Sequence, residues 1–83
     1  MFDPCFHLWQ LVRWENAQIR RYYEARVVKN LFNGWEVFCV WGGIGTRLGG
    51  STVIPVISLE DAQATLAKIN AKRHQRHYAR VTP

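Results

Sequence analysis

Trp41-Gly42-Gly43-Ile44-Gly45-Thr46-Arg47 gathers an indole, three glycines and a guanidinium within seven residues. Glycine removes side-chain bulk and permits backbone angles closed to other residues, so a ligand can approach the main chain closely. An indole beside bare backbone, with a guanidinium just beyond, makes a platform for a sugar, a base or a phosphate. A second chemical feature lies at the other end of the chain. From Lys68 onward there are five basic residues, Lys68, Lys72, Arg73, Arg76 and Arg80, and no acid. Residues 1–67 hold six basic and six acidic groups, so the whole formal charge of +5 belongs to the C-terminal segment, with His74 and His77 inside it. A basic segment on a balanced body points to a polyanionic partner, nucleic acid first. The competing explanation is local: cations near a helix C-terminus interact favourably with the helix dipole and keep a protein soluble.

For nucleic acid, each neutralised phosphate releases counterions and adds affinity without reading sequence. The candidates are Arg73, Arg76 and Arg80, then Arg26, Lys29, Arg21 and Arg47. Trp41 is the candidate aromatic surface, with Tyr22 or Tyr23 behind it; stacking is worth roughly 1–3 kcal/mol per unpaired base. Trp41 also shares a strand face with Trp35 and Val37, so core and partial exposure are both open to it. Trp9, Trp14 and Trp35 are expected in a core or an interface. No groove-reading helix signature is present, which predicts recognition of shape or ends, not of bases.

Other chemistries are poorly supplied. His74 and His77 stand three residues apart, and Cys5 and His7 lie far away in sequence, whereas structural zinc sites usually need four well-spaced ligands. No metal and no cofactor is expected. Cys39 sits mid-strand between Phe38 and Val40, as a buried thiol would, not as a nucleophile. Glu60 and Asp61 are accounted for by helix capping. The glycine stretch lacks the Gly-Lys-Ser/Thr ending of a phosphate-binding P-loop and leads into a strand. No nucleophile, base and oxyanion donors assemble, so enzyme activity is not expected.

The elements that must hold these residues can be read from periodicity. Phe6, Leu8, Gln10, Val12 and Trp14 alternate with His7, Trp9, Leu11, Arg13 and Glu15, predicting a first strand over 5–15. Glu15-Asn16-Ala17-Gln18 reads as a connection. Arg21 to Leu31 is a clearer strand, with Tyr23, Ala25, Val27 and Leu31 on one face. Tyr22, Glu24, Arg26 and Asn30 take the other, with Val28 the apolar exception. Asn33-Gly34 is a hairpin signal because both residues tolerate positive φ. Trp35 to Trp41 returns as the partner strand, followed by a glycine-rich loop from Gly42 to Ser51. Val53 to Ile57 is a short strand that Pro55 assigns to an edge or a bulge. Ser58 caps a helix that runs to about Arg73, with Leu59, Ala62, Leu66 and Ile69 as its apolar stripe. Tyr78 to Val81 is a last short strand or an ordered tail. Strands followed by one helix predict an α+β fold, an antiparallel β-sheet with one α-helix packed across a face.

Composition bounds the rest. The chain has 83 residues, 48% of them hydrophobic and 13% aromatic, which is the size of one small domain with a real core. No apolar run approaches the roughly 20 residues that span a bilayer. Met-Phe-Asp-Pro has neither the basic nor the apolar region of a secretory signal. Cys5 and Cys39 are too few for a disulfide framework and suit a reducing compartment, so a cytoplasmic protein is expected.

Together, Tyr22-Tyr23, Asn33-Gly34-Trp35, Trp41-Gly42-Gly43-Ile44-Gly45-Thr46 and Ser58-Leu59-Glu60-Asp61-Ala62 resemble the WGR domain. That family is named for a Trp-Gly-Arg motif and occurs in poly(ADP-ribose) polymerases and bacterial proteins. The resemblance is clearest over residues 20–80, and the short hairpin and basic C-terminal helix look most like small stand-alone bacterial members. It implies DNA binding at breaks, with Trp41 inheriting the packing on sugar near a terminus and nearby basic residues touching phosphate. The motif arginine falls on Gly43, so the signature reads Trp-Gly-Gly and one DNA and interdomain contact is removed; Arg47 follows in the same loop. No polymerase catalytic domain fits in this length.

The expectation is therefore a non-catalytic module that binds duplex DNA ends or nicks through Trp41, Gly42, Gly43, Arg47, Arg26, Lys29, Arg73, Arg76 and Arg80. The alternative is a protein-interaction or homo-oligomerisation module that has lost the DNA contact. Its support is the aromatic segment from Phe2 to Trp14, the missing motif arginine, and a sheet apolar on both faces with one helix to cover it.

Overall fold

The computed structural model describes residues 7–30, 32, 34–47 and 49–81, with the side chain of His7 excepted. Strands β1 (His7–Asn16), β2 (Arg21–Lys29), β3 (Trp35–Gly43) and β4 (Gly49–Val56) precede helix α1 (Leu59–Gln75) and a two-residue strand β5 (Ala79–Arg80). They form one antiparallel sheet in the order β4-β3-β2-β1-β5, and the helix lies across one face. The fold is α+β, as the element order predicts. Pro55 sits on the edge strand β4, where its missing N–H breaks no ladder.

Alternation sorts the side chains of each strand between two faces. The helix-covered face carries Val12, Trp14, Ala25, Val27, Val37 and Cys39, which close on Ala62 and Leu66 of α1. Leu59 and Ile69 complete the stripe. Trp14 is 2% exposed, and its indole N–H donates to Asn70 Oδ1 at 2.9 Å, so the largest core side chain also fixes the helix over β1. Trp9 differs: a bulge between Leu8 and Gln10 shifts the register there, leaving it 54% exposed and edge-on to Trp35 at 5.6 Å. The opposite face carries an ion-pair chain, with Arg13 bonding Glu15 and Glu24 at 2.8 Å each and Arg26 bonding Glu24 at 3.1 Å.

The start of the helix follows from sequence, and its end runs to Gln75, two residues past the expected Arg73. Ser58 Oγ accepts from Asp61 N–H at 3.0 Å, the capping role expected of it. At the other end His77 adopts φ 68°, its N–H reaches His74 O at 3.0 Å, and Tyr78 N–H reaches Arg73 O at 2.9 Å. This is a Schellman stop with histidine in the position glycine usually fills. It turns the chain back so that β5 pairs with β1, Trp14 opposite Arg80.

Two connections differ from the sequence expectation. The β2–β3 hairpin is present, but Asn33 lies outside the described residues and the visible closure is made by Asn30. Its Oδ1 accepts from Phe32 N–H at 2.9 Å and Gly34 N–H at 2.8 Å, and its own N–H donates to Gly34 O at 2.9 Å. The glycine loop is also shorter than Gly42 to Ser51. Gly42 pairs with Gly49 and Trp41 with Gly50, so β3 and β4 run on and only residues 44–48 connect them. Cys5 and Leu31, counted in strands from sequence, lie outside the described residues.

Candidate nucleic-acid interface

Trp41 joins the two alternatives open to it. It is half-buried, packs against the core cluster, and still lines an open cleft. Its orientation is set from both sides. Tyr23, its cross-strand neighbour on β2, stacks on it at 5.9 Å and 11° between planes. Gly50, opposite on β4, has no side chain, and a Cβ there would stand 2.9 Å from Trp41 Cζ2. The indole occupies the space a larger residue would need, so a bare glycine in a strand becomes the seat of the aromatic.

The cleft has two compartments. The first, about 610 Å³, is lined by Tyr23, Trp41, Gly42, Thr52, Arg73, Arg76 and Tyr78 together with Ile19, Arg21 and Tyr22. The second, about 510 Å³, adds Arg20, Gly43, Ile44, Thr46 and Gly49, and shares Ile19, Arg21, Trp41 and Gly42 with the first. Neither lining contains a carboxylate. Among the described residues Arg20, Arg21, Arg73 and Arg76 have no carboxylate within ion-pair distance, whereas Arg13 and Arg26 are neutralised by Glu15 and Glu24. Four arginines without a carboxylate partner thus line the cleft around the indole, where the phosphates of a polyanion would gain from them.

Arg73 is the built part of this site. Its guanidinium lies 4.4 Å from the centroid of Tyr23 and 5.1 Å from that of Tyr78, a double cation–π arrangement. Its Nε is buried with no hydrogen-bond partner. Burial, a hydrogen bond with Cys39 and the thiol's charge together push Tyr23 up to about 12, against some lowering by Arg73. Tyr23 therefore stays neutral under the platform across the physiological range. Cys39 is fully buried, and its pKa is likewise raised by burial.

Three chain segments meet at the cleft because specific bonds hold them there. Buried Asn16 accepts from Gln18 N–H at 3.1 Å and Ile19 N–H at 3.4 Å, and donates to Arg76 O at 3.3 Å. Ile44 N–H donates to Arg20 O at 2.8 Å. The β1–β2 turn is thereby tied to the helix end on one side and to the glycine loop on the other.

Of the residues expected from sequence, the structure brings Trp41, Gly42, Gly43, Arg73 and Arg76 together. Arg47 is exposed on the rim, lining a shallow groove with Tyr22, Phe38, Val40 and Ser51. Arg26 lies on the opposite face, bonded to Glu24. Lys29 shares the face of Trp41, but it sits over Trp35 at 5.5 Å, six residues or about 20 Å along the strands. Arg80 lines a separate small groove with Gln10, Gln63 and Asn70. Sequence reasoning missed Ile19, Arg20, Thr52 and Tyr78. For Arg20 the signal was its place beside Arg21 at the start of β2; for Ile19 there was none. At Gly43, an added Cβ would stand 2.6 Å from Thr46 Oγ1, which itself donates to Gly43 O at 3.1 Å. Thr46 therefore occupies the space from which an arginine at position 43 would start.

Among the described residues no three His, Cys, Asp or Glu side chains converge as a metal site, and no helix is long and apolar enough to cross a membrane. No curated protein and no solved structure matches the chain. The family model of the WGR domain matches residues 10–83. That match takes in the sheet from Gln10 onward, the helix and both compartments around Trp41: the chain belongs to the WGR domain family, a family of nucleic-acid-binding modules found in poly(ADP-ribose) polymerases.

Proposed function

We propose that this chain is a non-catalytic module that binds the ends or nicks of duplex DNA in the Trp41 cleft. The observation that carries the reading is Arg73. It is held between two tyrosine rings beside a stacked indole, in a cleft with three further arginines and no acid. Arg73, Arg76, Arg21 and Arg20 hold phosphate, while Trp41 and the bare backbone of Gly42 and Gly43 meet the terminal sugar. Arg47 extends the cationic rim. Recognition is of phosphate and shape, as the lack of a groove-reading helix signature in the sequence suggests.

The test is fluorescence anisotropy with a blunt duplex, a dumbbell without ends and a single strand, each at two salt concentrations. Tighter binding to the blunt duplex that Trp41→Ala removes supports the reading. Equal binding to all three, with a steep salt dependence in each, means a basic surface without end recognition.

The open face of the sheet favours a second reading for the same chain, contact with protein. Phe38 and Val40 are only partly covered, Val53 is 45% exposed, and Arg13 and Arg26 on this face are already paired with Glu24. Light scattering over a concentration series tests self-association there; a strict monomer removes that form of it.

A further inference from the structure

We propose that Ile19, at the tip of the β1–β2 turn, reads the end of a duplex by abutting the flat face of its terminal base pair. The inference rests on the reading of the Trp41 cleft as a DNA-end site. Ile19 is 57% exposed and lines both compartments, so it stands where they join, beside Trp41. Its residue type does nothing for the turn. Turns favour glycine, asparagine, aspartate or serine, so no turn preference accounts for a β-branched apolar side chain here.

The backbone beneath it is unusually well held. Asn16, only 7% exposed, accepts from Ile19 N–H and bonds Arg76 O, and Arg20 is kept at φ 52° with its carbonyl bonded to Ile44 N–H. A non-glycine residue in the left-handed region is strained and persists only where its surroundings impose it. The turn thus presents Ile19 as a well-held apolar knob, followed by Arg20 and Arg21 and sharing the first compartment with Arg76.

The chemistry of the ligand selects its occupant. Inside a continuous duplex each base-pair face is covered by its neighbour, and a protein meets only phosphates and groove edges. At an end the last pair exposes a flat apolar surface ringed by phosphate. An apolar knob within a ring of cations, beside an indole for the sugar, matches that surface and gains nothing from duplex interior.

The experiment compares Kd for a blunt duplex and for a closed dumbbell of the same sequence, using the full chain. The wild type prefers the blunt duplex. Ile19→Ser reduces that preference about tenfold, the scale of losing burial of one apolar side chain, and leaves dumbbell affinity and salt slope unchanged. Ile19→Phe keeps or raises the preference. If Ile19→Ser leaves the preference intact, or weakens both DNAs alike, the inference is overturned while the cleft reading stands. No preference in the wild type overturns both. Circular dichroism confirms folding, which an exposed side chain leaves intact.

Discussion

The ring of Tyr23 lies 5.9 Å from the indole of Trp41, almost parallel to it, and carries the guanidinium of Arg73 at 4.4 Å from its centroid. One tyrosine therefore positions both an aromatic surface and a cation. It fixes the distance between the indole and the guanidinium.

Gly50 completes that seat. Gly50→Val puts side-chain atoms where the indole lies, since even a Cβ stands 2.9 Å from Trp41 Cζ2 and 3.1 Å from Cε2. The expected outcome is about a tenfold loss of DNA affinity, with a red shift in tryptophan emission as the indole leaves Tyr23. Unchanged affinity contradicts the seating.

Charge on the two faces separates by titration against salt. Arg73→Ala should flatten the slope of log K against log salt by roughly one unit, the signature of one lost phosphate contact. Arg26→Ala, whose guanidinium is bonded to Glu24 on the opposite face, should leave the slope unchanged. Equal effects from the two substitutions contradict the placement.

Tyr23 predicts an alkaline limit to stability. Its folded value is pushed up to about 12 from 10.0, chiefly by burial and then by the hydrogen bond with Cys39. Between those two values the unfolded chain has lost the proton that the folded one keeps. Its contribution is therefore complete below pH 10 and disappears as the pH rises toward 12. Tm should fall across that window, and Tyr23→Phe should make the fall shallower. An equal slope in the variant contradicts the assignment.

The helix stop offers a stability test independent of DNA. His77 holds φ 68° where glycine is the usual occupant. His77→Gly should raise stability by about 1 kcal/mol, seen as a higher Tm, with DNA affinity unchanged. A lower Tm contradicts the reading of the stop.

How far the sequence carried depended on whether a signal was periodic or spatial. The helix was legible because Ser58 and the stripe Leu59, Ala62, Leu66, Ile69 are local patterns, whereas alternation left Tyr22 or Tyr23 behind Trp41 and the register of β2 on β3 selects Tyr23. Gly49 and Gly50 read as loop because isolated glycine disfavours strands; only the indole opposite explains why they belong to β4. Arg26 was nominated on charge, though its place in the alternation already sets it on the face away from Trp41. Lys29 has the right parity and the wrong end. Arg20 and Ile19 reach the cleft because the turn that carries them is tied to Arg76 through Asn16 and to Ile44 through the Arg20 carbonyl, bonds between segments distant in sequence that no local pattern announces.

The most direct test is a titration of the isotopically labelled chain with a short blunt duplex, followed by NMR at backbone amides and indole N–H groups. The account predicts the largest shifts at the Trp41 indole and at Ile19, Gly42, Ile44 and Arg76, with the Trp14 indole in the core unmoved. Shifts centred on Arg26, Phe38 and Val40, with the Trp41 indole unperturbed, would place DNA on the open face and contradict it.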